Sequence, residues 1–297
     1  MSSLPVHSAE RSRPNGEVLP FLNDSYGGVL VNITDPMERE IFSAKLKSSM
    51  SYWREEGKKG IWIKLPITLS NLVEATVEQG FSYHHAEPNY LMLVHWIPET
   101  PSTLPGNASH RVGVGAIVIN HKNELLVVQE NSGHFRGTGV WKIPTGVVDE
   151  GEDLSEAAVR EVKEETGVTF PLTKPLNLFS FTDFTFADQV NTEFLEVLAF
   201  RQTHKSFFEK SDLFFLCLMR PLSFHIIKQD LEIEAAQWMA MEEFAAQSIV
   251  QKHGIFKFIA EFGLSFTDKK YGGFSRHSLN SPFSETKSSF FYTNAKI

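Results

Sequence analysis

Three carboxylates, Glu161, Glu164 and Glu165, stand at i, i+3 and i+4, the spacing that gathers side chains on one side of a helix. Unaccompanied, such a cluster reads best as a solvated acidic face. It is not unaccompanied here. Gly146, Glu152, Arg160, Glu161, Val162, Glu164, Glu165, Gly167 and Val168 satisfy G-x5-E-x7-R-E-U-x-E-E-x-G-U (U aliphatic) at every fixed position. Like charges this close destabilise a helix unless hard divalent cations sit among them. Mg2+ suits such a site, because it takes a few carboxylates and keeps its waters and phosphate oxygens. Such an ion would neutralise a pyrophosphate and activate a water for attack.

The carboxylates need a helix to hold them. Asp153 is a good N-cap, and Glu156 three residues on has capping-box spacing. From Leu154 to Glu165 there is no Pro or Gly, and Gly167 is placed to end the helix. Leu154, Ala157, Ala158 and Val162 give it an apolar stripe. Before it, Val112–Ile119 and Leu125–Gln129 read as strands joined by a polar turn at Asn120–Glu124. After it, 194–200 and 213–219 read as strands, and Trp238 precedes a helix at 241–244.

The 146–168 segment resembles the Nudix box, the signature of hydrolases that split nucleoside diphosphates linked to another moiety. The resemblance implies an α/β fold, a sandwich with a mixed sheet between helices. It implies Mg2+ (or Mn2+) held by Glu161, Glu164 and Glu165, with the Gly146 carbonyl joining the metal shell. Glu152 braces the loop or reaches a metal through water, and Arg160 orients its neighbouring carboxylates. Either Glu164 or Glu165 doubles as general base. An acid outside the box completes the site in several relatives. Glu232 and Glu234 are the candidates, each better read alone as a surface carboxylate. The W-K-I-P-T-G run at 141–146 differs from the frequent W-x-L-P-G-G in having Thr145 for the first glycine.

The first hundred residues form a separate small α/β unit. A strand over 28–33 leads to Asp35, Pro36 and Glu38, which mark a helix start. Phe42, Leu46, Met50 and Trp53 give that helix its stripe, and Gly57 ends it. Then come a strand over 61–67, a helix over 69–79 closed by Gly80, and strands over 81–83 and 90–96. Pro98–Gly106 is the linker. This region carries SYWREEGKKGIWIKLP (51–66) and FSYHHAEPNYLMLVHWIPETP (81–101). With the box, these resemble the plant Nudix hydrolases of ADP-ribose and NADH, which have an N-terminal pre-Nudix domain, and more distantly an animal relative. The resemblance divides the chain into a flexible 1–18, a pre-Nudix domain 19–100, a Nudix domain 107–266 and a tail 267–297. It implies a homodimer. The basic pair Lys58 and Lys59 reads as a solvated turn, and His84 and His85, lacking partners at metal spacing, read as structural.

On the same resemblance Arg201 and His204 become candidate substrate contacts, Arg201 as a bidentate phosphate clamp. The S-Q-P-W-P-F-P-x-S motif of bacterial NADH-specific enzymes and the coenzyme A signature are both missing. Residues 169–191, rich in Phe, interrupt the alignment where relatives pass quickly to the next strand. They read either as a lineage-specific flap over the site or as a variant-transcript or gene-model feature that inactivates it. A hydrolase of a coenzyme A or diphosphoinositol derivative, or a silenced nucleotide-binding protein, are the competing readings.

Composition agrees with a soluble enzyme. The chain has 297 residues, 42% hydrophobic, with net charge −8 and pI about 5.8. An acidic balance speaks against a nucleic-acid partner. No apolar run reaches membrane-spanning length, and the N-terminus has no signal core, so a cytoplasmic protein is expected. Cys217 is the sole cysteine and reads as a small buried hydrophobe. The glycosylation patterns at Asn23, Asn32 and Asn107 read as chance, and the Ser-rich 275–287 stretch as mobile.

Overall fold

The computed structural model describes residues 18–167, 192–265, 274–280 and 287–292. Val168 and the 169–191 interruption lie outside them, as does the N-terminal segment before residue 18. The chain divides into two compact units, Met1–Ser109 and His110–Ile297.

The first unit is a five-stranded mixed sheet in the order β1-β2-β3-β5-β4, made of Leu22–Asn23, Val29–Asn32, Gly60–Pro66, Tyr90–Trp96 and Ser82–Glu87 respectively. Helix α1 (Arg39–Glu55) buries the expected stripe of Phe42, Leu46, Met50 and Trp53 among Val29, Val31, Ile61 and Ile63. Its start lies later than the Asp35-Pro36 signal: Glu38 is the N-cap, extended at ψ 144°, and its carbonyl accepts the first helical bond from Phe42 N. Pro36 suits extended backbone as well as a first helical turn, and Met37 packs on the core from there. The second expected helix is split. A 3-10 segment over Ile67–Leu72, broken internally at a non-helical Leu69, runs into α2 (Val73–Glu78). The break lets Leu69, Leu72 and Ala75 all reach the core. His84 and His85 are tied up locally, His84 Nε2 with the Pro105 carbonyl and His85 Nε2 with Tyr90 OH.

The second unit is an α/β/α sandwich. Its sheet runs β8-β6-β10-β9, made of Thr145–Val147, His110–Val118, Lys210–Pro221 and Thr192–Phe207. β6 and β10 are parallel, and the other pairings are antiparallel. A second ladder joins β7 (Glu124–Glu130) to β11 (Ile233–Ala240). Side chains alternate across a strand, and the alternation sorts the core into two. Val114, Ala116, Val118, Cys217 and Met219 meet Ala157, Ala158 and Val162 of α3 (Leu154–Thr166). Ile117, Ile119, Leu216 and Leu218 face the other way, onto Phe244 of α4 (Met241–Ala246) and Phe256 and Ile259 of α5 (Gly254–Ser265). The turn between β6 and β7 is fastened by Asn120, whose Oδ1 accepts from Lys122 N and Glu124 N.

Two expectations change here. The strand expected at 194–200 runs on to Phe207 and turns back through Phe208 and Glu209, both at positive φ. The 275–287 stretch, expected to be mobile, contributes β12 (Ser275–Asn280), which pairs antiparallel with β13 (Lys287–Tyr292). Phe290, Phe291 and Tyr292 are strong strand formers that favour that ladder. Among the described residues no helix is long and apolar enough to cross a membrane.

Candidate active site

Strand β8 brings Gly146 to the edge of the sheet opposite Val114, and the loop that follows leads into α3. Asp153 caps that helix in extended backbone, and its carbonyl accepts from Ala157 N, although its side chain makes no capping bond. Gly167 ends the helix extended, at φ −125°, not left-handed. Its glycine is required by space: a Cβ would lie 2.5 Å from the Lys163 carbonyl oxygen.

Arg160 organises the acidic side. Its Nε and Nη2 bind Glu152 bidentately at 2.7 and 2.8 Å, and Nη1 donates to Glu161 at 2.8 Å and Glu164 at 2.9 Å. Nη2 also reaches the Val147 carbonyl at 2.9 Å. Glu152 in turn accepts from Asp149 N, closing the loop. Hydrogen bonding to Arg160 holds the Glu152 carboxyl below its ordinary range, against the effect of partial burial. Glu161 goes the opposite way. Burial pushes it up, and Arg160 only partly offsets this.

The three glutamates do not share one environment: Glu161 and Glu164 meet at Arg160 Nη1, and Glu165 is buried apart from them. On a helix, Glu164 and Glu165 fall about 60° and 40° to opposite sides of Glu161. Glu164 turns toward solvent and Arg160, whereas Glu165 follows Ala158 and Val162 into the interior. Burial raises the Glu165 carboxyl to about 8, although Lys142 and the Thr145 N–H pull it down. Its Oε1 lies 3.4 Å from Thr145 N and 4.0 Å from Lys142 Nζ, while its buried Oε2 has no hydrogen-bond partner. Among the described residues no three His, Cys, Asp or Glu side chains stand ready-gathered around a point where an ion would sit.

Beside Thr145 opens a cavity of about 320 Å³. Lys142, Thr145 and Glu130 line its polar part, and Phe135, Phe214 and Phe256 its apolar part. Arg201 is on its wall, the guanidinium 5.7 Å from the Phe214 ring centre. It lies within β9, not after it. His204 does not line this cavity; it is exposed, with Nδ1 2.9 Å from Ser211 Oγ. Glu232 and Glu234 are exposed and also lie outside the lining. Lys142 and Glu130 were missed by the sequence reading. A lone lysine between Trp141 and Ile143 carries no signal, and Thr145 was noticed only as a departure from glycine.

Comparison with known proteins agrees with this geometry. A family model described as NUDIX domain matches residues 109–262, and one described as Nudix hydrolase domain matches 19–97. Nudix hydrolase 10 of Arabidopsis thaliana is 52% identical over 278 residues, covering 94% of this chain and 90% of that protein. Nudix hydrolase 2 of the same plant is 51% identical over 265 residues, covering 89% and 87%. The human protein named nucleoside diphosphate-linked moiety X motif 6 is 33% identical over 230 residues, covering 75% of this chain and 65% of that protein.

Proposed function

Because this chain belongs to the Nudix hydrolase family, we propose that it cleaves the pyrophosphate of two dinucleotide-like substrates, ADP-ribose and NADH. ADP-ribose and water would give AMP and ribose 5-phosphate; NADH and water would give AMP and reduced nicotinamide mononucleotide. Water oxygen forms a bond to one phosphorus and gives a proton to Glu164 or Glu165 as base, the bridging P–O bond breaks, and the leaving phosphate keeps the electron pair. The carrying observation is the cavity itself. It sets aromatic walls, fit for a flat ring, beside Arg201 and next to the loop that enters the acidic helix.

The family implies a divalent cation, Mg2+ or Mn2+, and the residues fit one. The donors are all hard oxygens: the carboxylates of Glu161, Glu164 and Glu165, the Gly146 carbonyl, and Glu152 directly or through water. Glu165 Oε2 is a buried acceptor with no donor, and such an atom costs about 1–3 kcal/mol unless something satisfies it. When bound, the cation would neutralise the pyrophosphate and lower the pKa of the attacking water. The protein's own part is to hold these oxygens. Arg160 restrains Glu152, Glu161 and Glu164, and the interior restrains Glu165. Arg201 clamps a phosphate oxygen, and the Phe135 and Phe256 side of the cavity takes the ring. His204 stands apart from the cavity, exposed and bonded to Ser211, and the cavity gives it no substrate contact. A cytoplasmic homodimer belongs to the same reading, as an implication of the family resemblance alone.

The test is release of AMP from ADP-ribose and from NADH by purified protein, with Mg2+ and with EDTA, alongside coenzyme A and diphosphoinositol derivatives. Metal-dependent AMP from either of the first two is the expected result. Turnover confined to the latter pair would replace the substrate. Tight nucleotide binding without any turnover would replace the enzyme with a binding protein.

A further inference from the structure

Lys142 is buried four residues ahead of Gly146, with 6% of its surface exposed. Its backbone is fixed from two sides. Lys142 N and O both bond to Val128 of β7, at 3.0 and 2.8 Å, and the preceding Trp141 N bonds to Gln247 Oε1 at 2.8 Å. A buried ammonium needs acceptors for its three donors. It finds Thr145 Oγ1 at 2.6 Å and Glu130 Oε1 at 2.7 Å, and Glu165 Oε1 is 4.0 Å away. Thr145 acts twice, since its N–H also approaches the same Glu165 oxygen at 3.4 Å. The protein therefore holds Glu165 from one oxygen only. The other, Oε2, is buried and without a donor.

We propose that Lys142 and Thr145 form a positioning clamp on Glu165: Glu130 steadies the ammonium, the Thr145 hydroxyl fixes its direction, and the pair engages Oε1 while leaving Oε2 for a divalent cation. Toward the cation, both residues act through Glu165. This gives the Thr145 hydroxyl a task that a glycine at that position could not perform. The clamp rests on the metal-dependent reading of the site, but not on the identity of the substrate.

Residues that hydrogen-bond a metal ligand typically account for about 10–100-fold in metal affinity, so direct cation binding is the readout. Lys142→Met would leave the buried Glu165 and the half-buried Glu130 without their cation and is expected to unfold easily, so Thr145 is the sharper position. Thr145→Val keeps the shape and removes the hydroxyl; Thr145→Ser keeps the hydroxyl. Mn2+ binding to each substrate-free, full-length protein is followed by electron paramagnetic resonance, with melting temperature in EDTA as the control for folding. The expected result is Mn2+ affinity about 10-fold weaker for Thr145→Val, restored by Thr145→Ser, with both melting near the wild type. Equal Mn2+ affinity for Thr145→Val and wild type would overturn the clamp, as would Thr145→Ser binding as weakly as Thr145→Val. If wild type binds Mn2+ but hydrolyses neither ADP-ribose nor NADH, the substrate reading fails and the clamp is judged by the same titration. If wild type binds no Mn2+, the metal reading and the clamp fail together.

Discussion

Gly146 lies so close to Glu161 that a Cβ on it would sit 1.9 Å from the Glu161 carboxyl carbon. The glycine is there for contact, not for an unusual turn, since it pairs in β8 as an ordinary extended residue. It lets the first backbone step of the loop and the first glutamate of the helix share one space.

Gly146→Ala is therefore expected to push the Glu161 carboxylate aside. The atoms in the way are the far end of a flexible side chain, so the fold survives and the melting temperature changes by only a few degrees. Turnover falls by about 10–100-fold, as for other displaced groups around a metal. Steady-state kinetics with a parallel thermal melt decides this, and wild-type turnover in the alanine variant would contradict it.

Glu164 is more exposed than Glu152, Glu161 or Glu165, with 48% of its side chain accessible. Little stability depends on it, so Glu164→Gln is expected to fold normally and to lose at least about 100-fold in kcat. Unchanged AMP release from this variant would exclude Glu164 from both the metal-binding and the base roles.

Arg160 donates to three carboxylates and one carbonyl at once. A lysine keeps the charge but lacks the fork needed for bidentate binding to Glu152. Arg160→Lys is expected to destabilise the fold by about 1–3 kcal/mol and to lower kcat more than it raises KM. Urea unfolding and a kinetic split between kcat and KM report the two effects separately.

The Glu165 carboxyl gives the metal-free protein a pH dependence with a definite sign. Burial raises it to about 8 in the folded state, from an ordinary value of 4.5. Between those values the folded protein holds a proton that the unfolded chain has released, so stability falls as pH rises. In EDTA the melting temperature is expected to drop between about pH 5 and pH 8, and Glu165→Gln is expected to flatten that slope. Mg2+ favours the ionised form and is expected to restore stability most at the alkaline end. A slope of opposite sign in EDTA would contradict the buried, protonated Glu165.

Much of this was legible in the residues. The i, i+3, i+4 glutamates, the Gly146 and Arg160 spacings and the run without Pro or Gly located α3 and the acidic loop, because helix periodicity is a local property of the chain. Alternation did the same for β6 and β7, and the Phe42, Leu46, Met50 and Trp53 stripe for α1. Even the burial of Glu165 was there to be read: it stands three residues after Val162 and seven after Ala158, on the stripe that enters the core.

What sequence alone could not supply were the partnerships across elements. Lys142 reaches both Glu130 and Glu165 because β7, the 141–144 segment and α3 are brought side by side, and no local rule links positions 130, 142 and 165. Arg201 was a guess from resemblance; its place on the cavity wall comes from the length and register of the β9–β10 hairpin. The same hairpin carries His204 away from it. Spacing on one helix decided which acids belong together, and the packing of separate strands against that helix decided which cation holds which acid. Coulomb and hydrogen-bond partners are chosen by distance in space, and only the folded chain sets that distance.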